Sequence, residues 1–424
     1  MVWCPAPGVN RPGRRVRGAG ASRAPPAESA RGSRGMGPPL RISGGWSSSF
    51  GLRRMDIRNR PLHDHASPPM EHPVPAWTIA EFDPATATPD VWRRYHAYRR
   101  ARAIESDPDD PVVPDAVFEQ GWRDERLDHD WAYHEAVVEA DGQVVATFGS
   151  EAPKPGTPDY ANNGHMMFSS AAVLEPWRRQ GIGRAWLRHV LAWMPETGAT
   201  TLTASAHEPD GRAFLRWLAG EPKQLLRYSR TDFRTLDWTM VQRWVDEAAG
   251  RAPGHTLEIH THRLPEALWE EYCAARTEQM RHIPRDGLDM GDWVFDAGDL
   301  RDFYRQLDTY AADHHVIWVR DPAGRIVAIT DVGYYPHQPH RVQQFFTGVH
   351  PDARGLGLGK WVKARMLQVV RDAYADRDIH WVRTDNATTN APMLAINERL
   401  GFREYRVRGI YQVHRDQIAE RLGV

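Results

Sequence analysis

One internal repeat constrains the fold of this 424-residue chain more than any other feature. Residues Val173–Arg184 align without a gap on Val349–Lys360, at an offset of 176 positions, and each segment follows an extended stretch and opens a helix. A second match aligns Leu202–Ala204 with Val382–Thr384, at an offset of 180 positions. Because self-similarity at a nearly constant spacing is the signature of a duplicated unit, we predict two copies of one fold.

The repeat divides the chain into four parts. We predict a first half at residues 75–235, a helical linker at 236–251 and a second half at 252–424. Residues 1–72 are rich in Arg, Gly, Pro and Ser and contain few acidic residues. Such a segment cannot bury enough apolar surface to offset the entropy lost on ordering, so we predict a disordered tail there.

Both halves show the same order of hydrophobic patterns. Each opens with the alternation of a strand, continues with helical periodicity, and then forms a hairpin turned by Asp141-Gly142 or Ala323-Gly324. A long strand leads into each repeated glycine segment, a helix follows, and each half closes with a strand, a helix and a strand. This order predicts an α+β fold in three layers: a mixed, mostly antiparallel sheet with helices on both faces.

Composition excludes several classes of function. The formal net charge is −1, so the chain lacks the overall field that recruits nucleic acid or an anionic membrane. Its two cysteines, Cys4 and Cys273, form no disulfide framework and suit a reducing cytoplasm. No stretch reaches the roughly 18 apolar residues of a membrane span. We expect no metal either, since the neighbouring histidines lack the spacing of a zinc site: His260 with His262, and His314 with His315.

The repeated segment has the pattern Arg-x-x-Gly-x-Gly at a junction between strand and helix. Glycine lets the backbone turn sharply and approach a ligand, and free N–H groups at a helix start favour an anion. This chemistry suits a diphosphate. A Walker loop is excluded because Lys360 is followed by Trp361 instead of Ser or Thr, and the dinucleotide fingerprint requires a different glycine spacing.

The two segments resemble the acetyl-CoA motif of the GCN5-related N-acetyltransferases (GNAT family), Arg/Gln-x-x-Gly-x-Gly/Ala. Thr384–Phe402 resembles the second signature of that family: a strand, an asparagine, a helix and Leu-Gly-Phe. The resemblance implies two GNAT folds in tandem and transfer of an acetyl group from acetyl-CoA to a primary amine. It implies that acetyl-CoA is held by Val349, Arg354, Gly355, Leu356, Gly357, Leu358, Gly359, Lys360 and Asn390, and in the first half by Val173, Arg178, Gly181, Ile182, Gly183 and Arg184.

The two halves differ at the second signature. Asp210 stands where the second half has Asn390, and Leu-Gly-Phe is missing from the first half. We therefore predict that the second half is catalytic. Three roles stay open for the first half: binding acyl-CoA, shaping the acceptor site, or serving as a scaffold.

The resemblance implies that the amine attacks the thioester directly, with both reactants held in one cleft, and that a backbone N–H near Val349 stabilises the oxyanion. An ammonium substrate must first lose a proton. Asp331 is the favoured base because it lies in a run of apolar and β-branched residues, where we expect burial to raise its pKa. The alternatives are His337, His340 and His350.

Many family members use a tyrosine as general acid where this chain has Asn397. Asparagine can donate a hydrogen bond to the leaving thiolate but cannot protonate it, so water or Tyr405 is the alternative acid. Asn390 is expected to hold the pantetheine arm or to pin the local backbone.

Acidic residues crowd the connection after the first helix of each half, which in this fold borders the acceptor cleft. They suggest a cationic small-molecule acceptor, although a solvated acidic loop is the commoner reason for such runs. In the second half they are Asp286, Asp289, Asp292, Asp296, Asp299 and Asp302, and in the first half Asp107, Asp109, Asp110, Asp115 and Glu119. Two rival functions remain: a non-catalytic acyl-CoA sensor and a protein or peptide N-acetyltransferase. We expect a cytoplasmic monomer or homodimer.

Overall fold

The computed structural model describes residues 77–108, 110–125 and 130–424. The tail predicted at residues 1–72 lies outside these residues. Twelve strands of the described part form one continuous sheet with helices on both faces, which confirms the predicted fold class. Within the described residues, no helix has both the length and the apolar character needed to cross a membrane.

The first half contains two helices that the sequence patterns did not predict, α2 and α3. Its elements are β1 (Thr78–Glu81), α1 (Pro89–Ser106), α2 (Asp115–Glu125), β2 (Trp131–Ala140), β3 (Gln143–Pro153), α3 (Pro158–Asn163), β4 (Met166–Val173), α4 (Ile182–Thr197), β5 (Thr201–Ala206), α5 (Pro209–Ala219) and β6 (Gln224–Asp232). The predicted linker forms two short helices, α6 (Trp238–Asp246) and α7 (Ala248–Arg251).

The second half repeats this order without a counterpart of α3, and the sequence patterns did not predict two of its helices, α9 and α12. Its elements are β7 (Thr256–His260), α8 (Trp269–Met280), α9 (Ala297–Thr309), β8 (Asp313–Arg320), β9 (Ile326–Tyr334), β10 (Arg341–Val349), α10 (Leu358–Ala373), β11 (Trp381–Ala387), α11 (Ala391–Arg399), β12 (Arg403–His414) and α12 (Arg415–Leu422). Helix α9 starts at a capping box, in which Asp296 and Asp299 each accept a backbone N–H of the first turn. Two residues of the acidic run therefore serve as helix caps.

The two halves exchange their last strands. The strand order is β1-β2-β3-β4-β5-β12-β6-β11-β10-β9-β8-β7, so β12 of the second half lies between β5 and β6 of the first. Ile410 of β12 is paired with Ser205 on one side and Gln224 on the other. Strand β6 in turn pairs with β11 of the second half. The repeat seen in the sequence is thus built into one sheet, with each half completing the other.

The hydrophobic cores also contain side chains from other parts of the chain. The apolar core around α4 takes in Tyr411 and Val413 of β12 and Ile418 of α12, all 4 % exposed or less. The core around α10 takes in Val241 and Trp244 of α6. Side chains from the C-terminal end of the chain therefore complete the core of the first half.

We predict that a chain ending at residue 251 does not fold cooperatively. It would lose β12 from the edge of β5 together with three core side chains, Tyr411, Val413 and Ile418, each worth about 1.5–3 kcal/mol of burial. Chemical denaturation followed by circular dichroism measures this, and co-expression with residues 252–424 should restore one cooperative transition. Cooperative unfolding of the shorter chain alone would contradict the exchange.

Candidate functional site

A gap opens between two parallel strands in each half. In the second half, β10 pairs with β11 only over Arg341–Gln343 and Trp381–Arg383, and the strands then separate. In the first half, β4 pairs with β5 only over Met166–Phe168 and Thr201–Thr203. The C-terminal part of each long strand therefore has a partner on one edge and a gap on the other.

The backbone direction at the end of β10 places one N–H in this gap. His350 donates its N–H to the carbonyl of Val327, toward β9, at 2.8 Å. Because successive N–H groups along a strand point to opposite sides, the N–H of Val349 points away from β9 and into the gap. The first half repeats the arrangement at the aligned position, since Leu174 donates to Val145 at 3.0 Å.

The glycine segments form the same turn in both halves. Gly355 and Gly357 have φ values of +86° and +81°, and the aligned Arg179 and Gly181 have +65° and +85°. Gly357 and Gly181 stand directly before the first residues of α10 and α4. Two left-handed residues, separated by one residue, turn the chain so that its next amides lie at the start of a helix, which is the geometry of an anion-binding site.

The amides of the second-half turn are available to a ligand. Those of Gly355, Leu356 and Gly357 donate to no other group in the described part of the chain, and the first intrahelical bonds are those from Lys360 and Trp361 to the Gly357 carbonyl. The residues predicted to hold a diphosphate therefore have the unpaired donors that such a ligand requires.

Positive charge surrounds this second turn. Arg354 is exposed, and no carboxylate in the described residues pairs with it. The Arg251 side chain comes within 3.4 Å of the position that a Cβ on Gly357 would occupy. Burial lowers the pKa of Lys360, and the neighbouring Arg399 and Arg251 lower it further, which shows how closely these cations are grouped.

The first turn has a different electrostatic environment. Arg178, which aligns with Arg354, is held by three carboxylates: those of Glu105 at 3.1 Å, Glu208 at 3.4 Å and Asp210 at 3.3 Å. Asp210, which stands where the second half has Asn390, is thus one of the groups that neutralise Arg178. Negative charge beside this turn disfavours a diphosphate, although the backbone conformation is the same.

Both asparagines of the second signature have partners inside the protein. The side chain of Asn390 accepts the amide of Met393 and caps α11. Asn397, 3 % exposed, donates its amide to Asn386 of β11 at 2.7 Å, and its carbonyl oxygen has no partner among the described residues. Asn390 therefore pins the backbone, the second of the two roles expected for it.

The expectation of a raised pKa at Asp331 is wrong. Asp331 is 1 % exposed, and its Oδ2 accepts from Arg276 at 2.5 Å, Tyr272 at 2.9 Å and His314 Nε2 at 3.1 Å. Burial alone would raise its pKa, but the Arg276 charge and the hydrogen bonds from His314 and Tyr272 outweigh burial and lower it. An ionised carboxylate held by three donors is a weak base.

The other histidines proposed as bases lie in different places. His337 and His340 precede β10, at the opposite end of this nine-residue strand from Val349, a distance of about 26 Å. His350 directly follows Val349, and its side chain is 21 % exposed. Only His350 among these three histidines is close to the gap-facing N–H.

Arginines neutralise the acidic run of the first half, and part of the run in the second half. In the second half the partners are Arg281 and Arg285 for Asp292 and Arg305 for Asp302, while Asp286 accepts a hydrogen bond from Thr389 and Asp289 lies near His165. In the first half they are Arg406 for Asp107, Arg341 and Arg383 for Asp110, Arg99 and Arg100 for Asp115, and Arg123 for Glu119. Asp109 lies outside the described residues. The negative charge that suggested a cationic acceptor is therefore paired in the first half, whereas among the described residues of the second half arginines pair with Asp292 and Asp302 alone.

The structure brings together two of the histidines predicted to bind no metal. His262 and His315 lie with Asp313 close enough to share an ion. Both ring nitrogens of His315 already have partners, since Nδ1 accepts the His262 amide and Nε2 lies 2.7 Å from the Tyr374 hydroxyl. The absence of a metal stays a prediction.

Sequence reasoning missed Lys363, which lies on the sheet-facing side of α10 and is 3 % exposed. Its Nζ is 3.4 Å from Oε1 of Gln344, the residue at which β10 bulges, and no carboxylate among the described residues pairs with it. Burial lowers its pKa from 10.5 to about 7. A lysine in the apolar stripe formed by Gly359, Met366 and Val370 was the signal that could have revealed it.

We predict that Asp331→Asn mainly reduces stability, because it leaves Arg276 buried without its counterion. The expected loss is about 3–5 kcal/mol in the free energy of unfolding, measured by denaturant titration. Asp308→Asn is the matched control, since Asp308 and Arg263 form an exposed pair worth at most about 1 kcal/mol. A stable Asp331→Asn protein without activity would instead support Asp331 as the base.

The pKa of Lys363 predicts a pH dependence of stability. Between about pH 7 and 10.5 the unfolded chain binds more protons at this residue than the folded chain, so stability rises with pH. Lys363→Met should flatten this rise, whereas substituting the exposed Lys223 in the same way should not. Denaturant midpoints measured at pH 7, 8 and 9 test this, and identical slopes for Lys363→Met and the parent chain would contradict it.

Comparison with known proteins agrees with this geometry. The profile of the acetyltransferase (GNAT) family matches the chain twice, over residues 94–218 and 269–402. Mycothiol acetyltransferase of Salinispora arenicola is 29 % identical over 289 residues, covering 67 % of this chain and 82 % of the relative. Mycothiol acetyltransferase of Thermobifida fusca is 25 % identical over 283 residues, covering 64 % and 79 %.

Solved structures show the same fold. A tandem GNAT protein from the clavulanic acid biosynthesis pathway superposes with a TM-score of 0.59 at 19 % identity, covering 80 % of this chain and 99 % of that one. A GCN5-related N-acetyltransferase from Sphaerobacter thermophilus gives 0.52 at 13 % identity, covering 80 % and 96 %. With the family profile matched in both halves, the paired gaps and the paired glycine turns identify this chain as a tandem member of the acetyltransferase (GNAT) family.

Proposed function

We propose that the second half transfers an acetyl group from acetyl-CoA to the primary amine of a small molecule. The observation that supports this proposal is that a strand gap and a turn of unpaired amides lie together at the end of β10, with cations around the turn. A GNAT acyltransferase needs both features together, because the gap admits the acyl arm and the turn holds the diphosphate.

The residues of the second half fit acetyl-CoA. The free amides of Gly355, Leu356 and Gly357 would donate hydrogen bonds to the diphosphate oxygens, and Arg354 and Lys360 would add charge-assisted contacts. Acetyl-CoA supplies an activated acyl group. The protein supplies the fixed position of that group beside the amine, and such positioning is worth up to about 7–11 kcal/mol of the barrier.

Val349 has the geometry of an oxyanion donor. Its N–H points into the gap, where the carbonyl of an acyl arm lying between β10 and β11 would be within reach. A donor fixed by strand pairing on its other side needs no reorganisation when negative charge develops on that oxygen. The amine would attack directly, with no acyl-enzyme intermediate.

We assign the base to His350 instead of Asp331. His350 follows Val349 directly, and its Nδ1 accepts the Asp352 amide, which leaves Nε2 for the substrate. The charged and titratable neighbours of His350 are Asp352, at 3.6 Å, and His282, whose ring centroid is 6.3 Å away. On the leaving-group side, Asn397 can only donate a hydrogen bond, so we assign protonation of the thiolate to water.

The first half keeps the fold, but its Arg178 is neutralised. This favours the scaffold role for the first half, in which it completes the sheet of the second half. A non-catalytic acyl-CoA sensor remains the rival function. Thiol release from acetyl-CoA with a panel of amines separates the two, because a sensor binds acetyl-CoA without turnover. Acetylation of peptides in preference to small amines would favour the protein or peptide N-acetyltransferase.

We predict that the intact chain binds one acetyl-CoA and that Gly357→Glu weakens this binding at least about tenfold, equal to about 1.4 kcal/mol. The new carboxylate would stand beside the diphosphate. Gly181→Glu makes the same change at the first turn and should leave affinity unchanged. Titration calorimetry gives both the stoichiometry and the affinity.

Gly142→Glu is the control for backbone strain, since Gly142 has φ +73° in a hairpin turn with open space around it. It should bind acetyl-CoA as the parent chain does. Two equivalent sites, or a loss caused by Gly181→Glu alone, would contradict the assignment of the second half.

For the base, we predict that His350→Gln lowers kcat by about 100-fold and removes the acidic limb of the pH–rate profile. His340→Gln, at the far end of β10, should change neither. Stopped assays of thiol release over pH 5.5–9 measure this. An unchanged acidic limb in His350→Gln would assign the proton transfer to another group.

A further inference from the structure

One face of the central strands carries an unusual concentration of arginine. In strand register, Arg383 of β11 stands directly opposite Arg230 of β6, and Arg406 of β12 stands opposite Tyr228 of the same strand. Arg230, Arg383 and Arg406 all lie within 6 Å of the Tyr405 ring. Arg341 of β10 and Arg408 of β12 extend this group, which we name the arginine face.

The arginine face contains fewer carboxylates than arginines. Asp110 binds both Arg341 and Arg383, and Asp107 binds Arg406. The third carboxylate is that of Asp385, opposite Tyr228 in register. Five positive charges against three negative ones leave an excess of two.

Two arginines of this face form no close ion pair in the described part of the chain, although the Asp385 carboxylate interacts with Arg408 over a longer distance. Arg230 lies over two aromatic rings, those of Trp381 at 4.2 Å and Tyr405 at 5.2 Å. Arg408 lies over the Tyr228 ring at 5.1 Å, and its buried Nε makes no hydrogen bond to any described residue. Like charges directly opposite each other on a sheet are destabilising, so the Arg230–Arg383 pair calls for a counter-charge.

The arginine face lies beside the second-half gap. Arg383 belongs to the last residue pair between β10 and β11, immediately before the strands separate. Arg383 also lies on the sheet face opposite α10. Its neighbours in β11, Val382 and Thr384, belong to the other face because strand residues alternate, and Val382 packs in the core around α10. A ligand on this face would therefore reach the gap from the side away from the diphosphate turn.

We propose that the arginine face binds an anionic group, a carboxylate or a phosphate, of the acceptor amine. Planar guanidinium groups suit both anions, because each can present two parallel N–H donors. This assignment rests on the proposed acetyl transfer and narrows its acceptor to an amine that also carries negative charge. It contrasts with the cationic acceptor that the acidic runs suggested.

Calorimetric titration of inorganic phosphate, and separately of succinate, into the full chain tests this proposal. The chain is first saturated with CoA so that the diphosphate turn is filled, and ionic strength is held constant. We expect one saturable site for at least one of the two anions, and the two titrations distinguish a phosphate from a carboxylate site. Arg230→Gln and Arg408→Gln should each weaken binding about tenfold.

Arg93→Gln is the control, since Arg93 is an exposed arginine paired with Asp90 on α1, and it should bind the anion as the parent does. Without anion, Arg230→Gln should keep or raise the Tm, because it removes a like-charge contact. No saturable binding, or equal binding by the parent and both variants, would overturn the proposal. Anion binding at the arginine face needs no turnover, so this result is independent of whether acetyl transfer is observed.

Discussion

The parallel pairing of β10 with β11 ends after three residues, and the chemistry of the second half depends on that early separation. A continued ladder would occupy the N–H of Val349 and close the space between the strands. Because the strands part, this N–H faces a gap, and the chain leaves β10 through two left-handed residues that open the start of α10. Backbone conformation alone thus brings the proposed oxyanion donor and the proposed anion site to one place.

The first half shows that the same backbone conformation can lie in a different electrostatic environment. It has the same strand separation and the same pair of left-handed residues, yet Arg178 is held by Glu105, Glu208 and Asp210. The first half also completes the sheet of the second, since β6 supplies a neighbour for β11 and pairs with β12. Duplication followed by strand exchange has made the two copies dependent on each other while their charges diverged.

Local features were predictable from sequence, and long-range ones were not. Spacing alone located the glycine turns, and hydrophobic alternation gave β10 its observed bounds, because glycine conformation and strand period are local properties. The strand exchange, the pairing of Asp331 with Arg276 and the arginine face all join residues far apart in the chain. Asp331 looked like a buried base because its own strand is apolar, whereas its pKa is set by a helix 55 residues earlier.

The most direct test of acetyl-CoA binding by the second half is hydrogen exchange measured by mass spectrometry with and without CoA. We predict slower exchange in peptides that contain residues 355–359 and no change in those that contain residues 179–183. Protection of the first turn alone, or of neither turn, would contradict the assignment of the coenzyme site to the second half.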